Sequence, residues 1–278
     1  MRSNQPKASV IISVYKDTEA LRSILQGLEH QTEKNFEIIV TEDGEFDELT
    51  HYLTTQKDTT RPVIHLTQPD QGFRKTRAVN RGVAAANADY VMFLDGDCIP
   101  HPQHVALHLA HAAKGRICTG RKVNLGPKVS AWIRLSPRRV KLLINKLIFF
   151  LLAIPLHLDH IRNFETGMGG KLFHHFAKNR YLGIMGCNFS CFKEDMIKIN
   201  GYNEDLPGIG GEDDDLEWRF NGMNIFTKSI KFLAPVYHLY HDSRRLDFEI
   251  NVRIMNENRA KKQFVCINGL QQHLKSSA

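Results

Sequence analysis

Over its first hundred residues the chain switches repeatedly between the apolar period of a strand and that of a helix, and this alternation restricts the fold more than any other feature. Ser9-Val10-Ile11-Ile12-Ser13-Val14 has the pattern of a buried strand. Leu21, Ile24, Leu25 and Leu28 then fall at i, i+3, i+4 and i+7, the stripe of an amphipathic helix. The same logic predicts a second strand over Phe36-Glu37-Ile38-Ile39-Val40, a third over residues 62–66, a helix over residues 73–86 and a fourth strand over Tyr90-Val91-Met92-Phe93-Leu94. Strands that alternate with helices are joined by crossovers, so the expected fold class is α/β, a mostly parallel central sheet flanked by helices.

Ligands of such sheets bind beyond the carboxyl ends of the strands. Val14, Tyr15, Asp43 and the triplet Asp95-Gly96-Asp97 would all arrive on that rim. A second acidic feature stands far downstream, Glu212-Asp213-Asp214-Asp215 behind Gly210-Gly211. Adjacent carboxylates repel one another unless a cation, a helix N-terminus or bound hydroxyl groups take up their charge. One reading is the acidic first turn of a helix whose Leu216, Trp218 and Phe220 pack inward; the other pairs the two clusters as a metal site and a catalytic base. No Gly-x-Gly-x-x-Gly follows the first strand and no Walker A lysine loop is present, which argues against a dinucleotide fold and a P-loop NTPase.

Composition narrows the company the protein keeps. With 42% hydrophobic and 24% charged residues it is an ordinary globular chain. Its 37 basic residues against 30 acidic ones imply an anionic partner: nucleic acid, an acidic membrane surface or a phosphorylated small molecule. Cys98, Cys118, Cys187, Cys191 and Cys266 lack metal-finger spacing and read as reduced thiols. Residues 1–8 hold no apolar signal core, so a cytoplasmic protein is expected. The apolar stretch at residues 147–156 is shorter than the ~20 residues a bilayer span takes. It follows Arg134, Arg138, Arg139, Lys141 and Lys146, and reads either as a core helix with charged ends or as a helix peripheral on the inner face of the cytoplasmic membrane.

Several ordered motifs carry a family resemblance: Ser9-Val-Ile-Ile-Ser-Val-Tyr, Gln31-Thr32, Phe36-Glu-Ile-Ile-Val-Thr-Glu-Asp-Gly, Asn80-x-Gly82 and Ala88-Asp-Tyr-Val-Met-Phe-Leu-Asp-Gly-Asp. They resemble glycosyltransferase family 2, which has the GT-A fold. Gly186-Cys-Asn-Phe-Ser, Ile199-Asn-Gly-Tyr-Asn-Glu-Asp and Gly210-Gly-Glu-Asp-Asp-Asp-Leu-Glu-Trp-Arg resemble the carboxy-terminal domain shared with β-1,4-galactosyltransferases and chondroitin-polymerase-type enzymes. The resemblance implies a nucleotide-sugar-binding half at residues 1–120, a variable basic and amphipathic insertion at 121–185, and an acceptor-binding half with the catalytic base at 186–278. The implied activity is metal-dependent, inverting transfer of one sugar from a nucleotide sugar, with UDP expected, to a hydroxyl of a glycan or lipid-linked glycan acceptor in surface polysaccharide or lipopolysaccharide synthesis.

Matched position by position, Asp43 would accept a hydrogen bond from the nucleobase, although the family's Asp-Asp-Gly-Ser is here Glu42-Asp43-Gly44-Glu45. Asp97 would ligate the metal and Asp95 would bond ribose or metal. Arg77 and Asn80 would touch the nucleotide, ahead of Arg74 and Lys75. His238, with His241 as the fallback, would be the third protein ligand, and an imidazole among carboxylates favours Mn²⁺ over Mg²⁺. Asp213 would be the base, its pKa raised by acidic neighbours; Glu212 and Asp214 would bind acceptor hydroxyls, with Gly211 letting the backbone approach the sugar. Trp218 reads as core packing ahead of sugar stacking. A Gln-x-x-Arg-Trp motif is absent and no run of spans is present, so one sugar per encounter is expected. The competing readings are an inactive scaffold of the same fold, a sugar-nucleotide pyrophosphorylase, whose glycine-rich loop is missing, and a nucleic-acid-binding module, which leaves the carboxylates unexplained; no nucleic-acid partner is expected.

Overall fold

The computed structural model describes residues 5–55, 60–145, 148, 160–207, 209–242 and 248–274. Its strands are β1 (Ala8–Val14), β2 (Phe36–Glu42), β3 (Val63–Thr67), β4 (Tyr90–Asp95), β5 (Cys98–Pro100), β6 (Arg116–Thr119), β7 (Lys122–Asn124), β8 (Phe189–Phe192), β9 (Phe226–Ser229) and β10 (Val236–His238). Seven of them form one sheet in the order β3-β2-β1-β4-β8-β6-β9, and β5-β10-β7 form a smaller second sheet. β1 runs parallel to both β2 and β4, while β8 is antiparallel to β4 and β6. The expected mostly parallel α/β sheet is present.

Alternation along β1 explains the two layers. Val10 and Ile12 face one apolar cluster, which takes in Leu21, Ile24, Leu25 and Leu28 of the helix Thr18–Glu29. Ile11 faces the other, with Val79 and Val83 of the helix Lys75–Ala85 and Leu216 and Phe220 of the helix Glu212–Gly222. The downstream acidic helix therefore packs on the same sheet face as the first-half helix, and β8 enters the sheet beside β4. The two predicted halves share one sheet.

Part of the predicted insertion belongs to this framework. β7 pairs with β10, and the Arg134 guanidinium grips Asp17 through two bonds of 2.5 and 2.8 Å. Arg139 lies over the Trp132 ring at 5.0 Å. Two cations of the predicted basic flank are thus engaged internally, and Val140 and Leu143 of the short helix Val140–Leu143 are buried. Apart from Ile148, the apolar stretch 147–156 lies outside the described residues, as does Lys146, so the choice between core and membrane for that stretch is untouched. Among the described residues no helix is long and apolar enough to cross a membrane. All five cysteines are buried thiols.

Candidate active site

Parallel registry brings the strand ends level, with Val14 opposite Glu42 and Ser13 opposite Asp95. Asp43 follows β2, and its N–H donates to the Val14 carbonyl at 3.0 Å. Its buried carboxylate accepts from the Gln68 amide at 2.8 Å and from the Arg74 backbone N–H at 2.7 Å, which holds the loop before the helix Lys75–Ala85 against the rim. The other end of that amide, Gln68 Oε1, is buried without a hydrogen-bond partner among the described residues. Tyr15 is an exposed ledge on this rim, edge-on to Phe46 and donating to Asp70 at 3.3 Å.

Asp95 and Asp97 sit on either side of a glycine for a steric reason. A β-carbon on Gly96 would stand 2.7 Å from the Ser13 carbonyl oxygen, so any other residue would push the turn off the end of β1. Asp95 Oδ1 receives Ser13 Oγ at 3.3 Å and the Lys75 ammonium at 2.5 Å. Asp97 turns toward the second sheet. There β10 pairs antiparallel with β5, His238 opposite Cys98, and the Leu239 N–H donates to the Asp97 carbonyl at 2.9 Å. His238 Nε2 and His241 Nε2 both approach Asp97 Oδ2, at 3.5 and 3.1 Å. Asp97, Cys98 and His238 offer ligand atoms within 4.8 Å of one another. Burial alone would push the Asp97 carboxyl up; the His241 hydrogen bond and the His238 charge outweigh it and hold the group well below the usual carboxylate range. Burial pushes His238 down, while the bond to Asp97 pushes His241 up. The first and second choices for the histidine ligand thus face the same carboxylate oxygen.

The four acidic residues of the downstream cluster separate into different roles once they start a helix. Gly211, at φ 90°, caps the helix Glu212–Gly222 in the left-handed region that favours glycine. Asp215 turns inward and is paired at 2.7 Å with Arg219, both almost fully buried, and Arg219 also donates to the carbonyls of Ile199 and Gly201. Glu212 accepts the Gly210 N–H at 2.7 Å and Asp214 is exposed. Asp213 remains: it accepts the Gly186 N–H at 2.7 Å and is pushed up to about 6, by burial first and by Glu212 and Asp95, against the opposing charge of Lys75. The reading as the acidic first turn of a helix is realised, with Asp215 part of its architecture, while Asp213 is a perturbed carboxyl. Trp218 packs against Phe264 with ring centroids 4.8 Å apart.

Lys75 connects the two clusters. Burial works against its charge, but Asp95, Asp213 and Glu212 together outweigh burial and raise its pKa. The sequence ranks Arg77 above it, yet Arg77 is exposed on the helix while Lys75, in its first turn, is ion-paired with Asp95 and feels the charges of Asp213 and Glu212. Asn80 is fully buried: its amide donates to the Tyr202 carbonyl and Glu204, and its oxygen accepts the Tyr202 N–H. Gln68 and Glu217 were not singled out by the sequence, Lys75 was ranked below Arg77, and Cys98 was read only as a reduced thiol. Their contacts run over long separations, and only the basic run around Lys75 is a local signal.

Comparison with known proteins adds to this geometry. Residues 9–164 match the family profile described as glycosyl transferase family 2, and residues 171–242 match one described as N-terminal domain of galactosyltransferase. The chain is 27% identical over 238 residues to validoxylamine A glucosyltransferase of Streptomyces hygroscopicus subsp. jinggangensis, covering 80% of this chain and 53% of that protein. It is 33% identical over 94 residues to the putative glycosyltransferase EpsH of Bacillus subtilis, 33% of this chain and 26% of that one. The chain thus spans about half the length of the first of these relatives and less of the second. Among solved structures, mannosyltransferase PcManGT from Pyrobaculum calidifontis, in complex with GDP-Man and Mn²⁺, superposes with TM-score 0.55 at 14% identity, covering 94% of this chain and 65% of that one. S. aureus TarS gives 0.56 at 13%, covering 96% and 41%. At these identities the two structures establish a shared GT-A-type fold.

Proposed function

We propose, from the premise that the chain belongs to glycosyl transferase family 2, that it moves one sugar from a UDP-sugar to a hydroxyl of a glycan or lipid-linked glycan, by a single displacement with inversion. The observation that carries this reading is Lys75, which is ion-paired with Asp95 of the rim and close enough to feel the charge of the perturbed Asp213 of the acidic helix. A carboxyl poised near neutrality, close to the Lys75 cation at the rim, suits a base beside an anionic leaving group. Asp213 accepts the proton of the acceptor hydroxyl as its oxygen bonds to the anomeric carbon and the bond from that carbon to the diphosphate oxygen breaks. Lys75 balances charge between the leaving diphosphate and the base, and the Gly186 N–H fixes the orientation of the Asp213 carboxyl. Glu212 and Asp214 are the proposed contacts for acceptor hydroxyls.

Base recognition follows from hydrogen-bonding chemistry. Asp43 is an acceptor at the rim, and its carboxylate suits the single N3–H that the uracil of a nucleotide presents. The residues around Asp97 fit a divalent ion: a carboxylate and imidazoles converge there, with Cys98 close by. Asp97 and His238, with His241 behind them, would hold it, and nitrogen ligation supports Mn²⁺ over Mg²⁺. When bound, such an ion supplies positive charge against the leaving diphosphate.

A pH profile tests the base assignment. As Asp213 is active only when ionised, kcat/KM is expected to rise as pH climbs through about 6 and then to level. The Lys75 charge holds that value down, so Lys75→Met should move the limb to higher pH and raise the donor KM. A limb that stays where it is in Lys75→Met, or persists in Asp213→Asn, would show that another group carries the proton.

A further inference from the structure

The residues between 166 and 193 contain no carboxylate, and their central segment carries an apolar face that the described structure leaves bare. Among the described residues the helix Lys171–Ala177 is anchored by Ala177, by the His174 Nδ1 bond to the Lys231 carbonyl at 3.0 Å and by the His174 ring against His111. Away from these anchors Leu172 is 69% exposed and Phe176 is 73% exposed. They stand one helical turn apart, so they form a single face. Phe173, 60% exposed, leans on Phe232 beside them. Lys171, Lys178 and Arg180 rim this face, exposed and without an ion pair among the described residues.

We infer that residues 171–180 dock on an anionic lipid bilayer, with Leu172 and Phe176 inserted at the headgroup boundary and Lys171, Lys178 and Arg180 on the lipid phosphates. Charge decides among the occupants. A second copy would bring two cationic faces together, and a nucleic acid would meet the cations but leave the leucine and phenylalanine without a function. An anionic bilayer satisfies both halves of the pattern, apolar side chains at the boundary and cations at the headgroups. This places membrane contact on a different segment from residues 134–156, where Arg134 and Arg139 are engaged internally.

The same segment continues directly into the candidate active site. Tyr181 donates its hydroxyl to Glu217, the Ile184 N–H donates to Glu217 at 2.7 Å, and the Gly186 N–H donates to Asp213 at 2.7 Å. The chain leaving the bilayer-facing helix is thus laid along the helix that holds the base, which fits an acceptor carried by a lipid. That choice of acceptor rests on the glycosyl-transfer reading above; the docking does not.

The test is co-sedimentation of the full chain with phosphatidylcholine vesicles, with and without roughly one-third phosphatidylglycerol. Binding to the anionic vesicles is expected, and the Leu172→Ser/Phe176→Ser variant should weaken it about tenfold or more. Reversal by Lys171→Glu/Lys178→Glu should cost about fivefold per charge removed, and more for the reversal itself. Melting temperature and nucleotide-sugar hydrolysis in the absence of lipid should stay at wild-type values in both variants, so a failure of docking is separable from a failure of the enzymatic reading. The proposal is overturned if wild type ignores anionic vesicles or binds neutral ones equally. It is also overturned if the apolar variant binds as wild type, if Leu172 and Phe176 instead support a dimer, or if polyuridylate binds wild type and apolar variant alike and more tightly than the anionic vesicles do.

Discussion

Asp213→Asn is expected to lower kcat by about 10²–10⁴-fold, the usual contribution of a positioned general base, with the donor KM little changed. Its effect on stability should run the opposite way. Asp213 is pushed from 3.8 up to about 6 in the folded chain, so between those values the folded state binds more protons than the unfolded one. A group raised in this way makes stability fall as pH climbs from about 4 to about 6, and the deficit persists above that range. The gap corresponds to about 3 kcal/mol at neutral pH. Asparagine carries no charge to bury, and its amide oxygen can still accept the Gly186 N–H. The variant should therefore melt several degrees above wild type at pH 7 while being nearly inactive. Scanning calorimetry beside steady-state kinetics checks both signs at once. A variant that is both inactive and destabilised would mean that Asp213 holds the fold rather than the proton.

Asp97→Ala is expected to remove divalent-ion dependence together with activity, lowering kcat/KM about 10³-fold, the several kcal/mol that a cation contributes at a leaving diphosphate. The electrostatics around the residue give the change a second readout. His241 is raised by its hydrogen bond to Asp97, so in the variant its imidazole should titrate at lower pH, which proton resonances would follow. Mn²⁺ binding, measured by the loss of its free-ion paramagnetic signal, should weaken in step with kcat/KM. Retained Mn²⁺ affinity with lost activity would assign the ion to other ligands.

What was legible in the sequence follows the range of the interactions. β1, β2 and β4 are runs of Val, Ile, Met, Phe and Leu buried on both faces, and their period needs no tertiary context to recognise. Asp95 and Asp97 come from the same local signal, since a strand followed by Asp-Gly-Asp delivers them to its carboxyl end. The pairing of His238 with Asp97 was within reach through the resemblance alone, because the register of β10 on β5 joins residues far apart in the chain. The separation of Asp213 from Asp215 was within reach through the resemblance and not from the residue types themselves. All four acidic residues look alike in a string, and it took the positions of Arg219 and Gly186 to send one inward to an ion pair and leave another facing Lys75. Lys75 was passed over for the same reason: one turn of helix decides which of Arg74, Lys75 and Arg77 faces the rim, and helix phase is set by the packing of Ala78, Val79 and Val83 rather than by charge.

The proposed reaction at the shared rim of the two clusters is metal-dependent. The most direct measurement is consumption of UDP-, GDP- and CMP-sugars by the purified protein as Mn²⁺ is titrated. Turnover of a UDP-sugar that requires the ion and disappears in Asp97→Ala is the predicted result; no binding or turnover of any nucleotide sugar, with or without the ion, would contradict it.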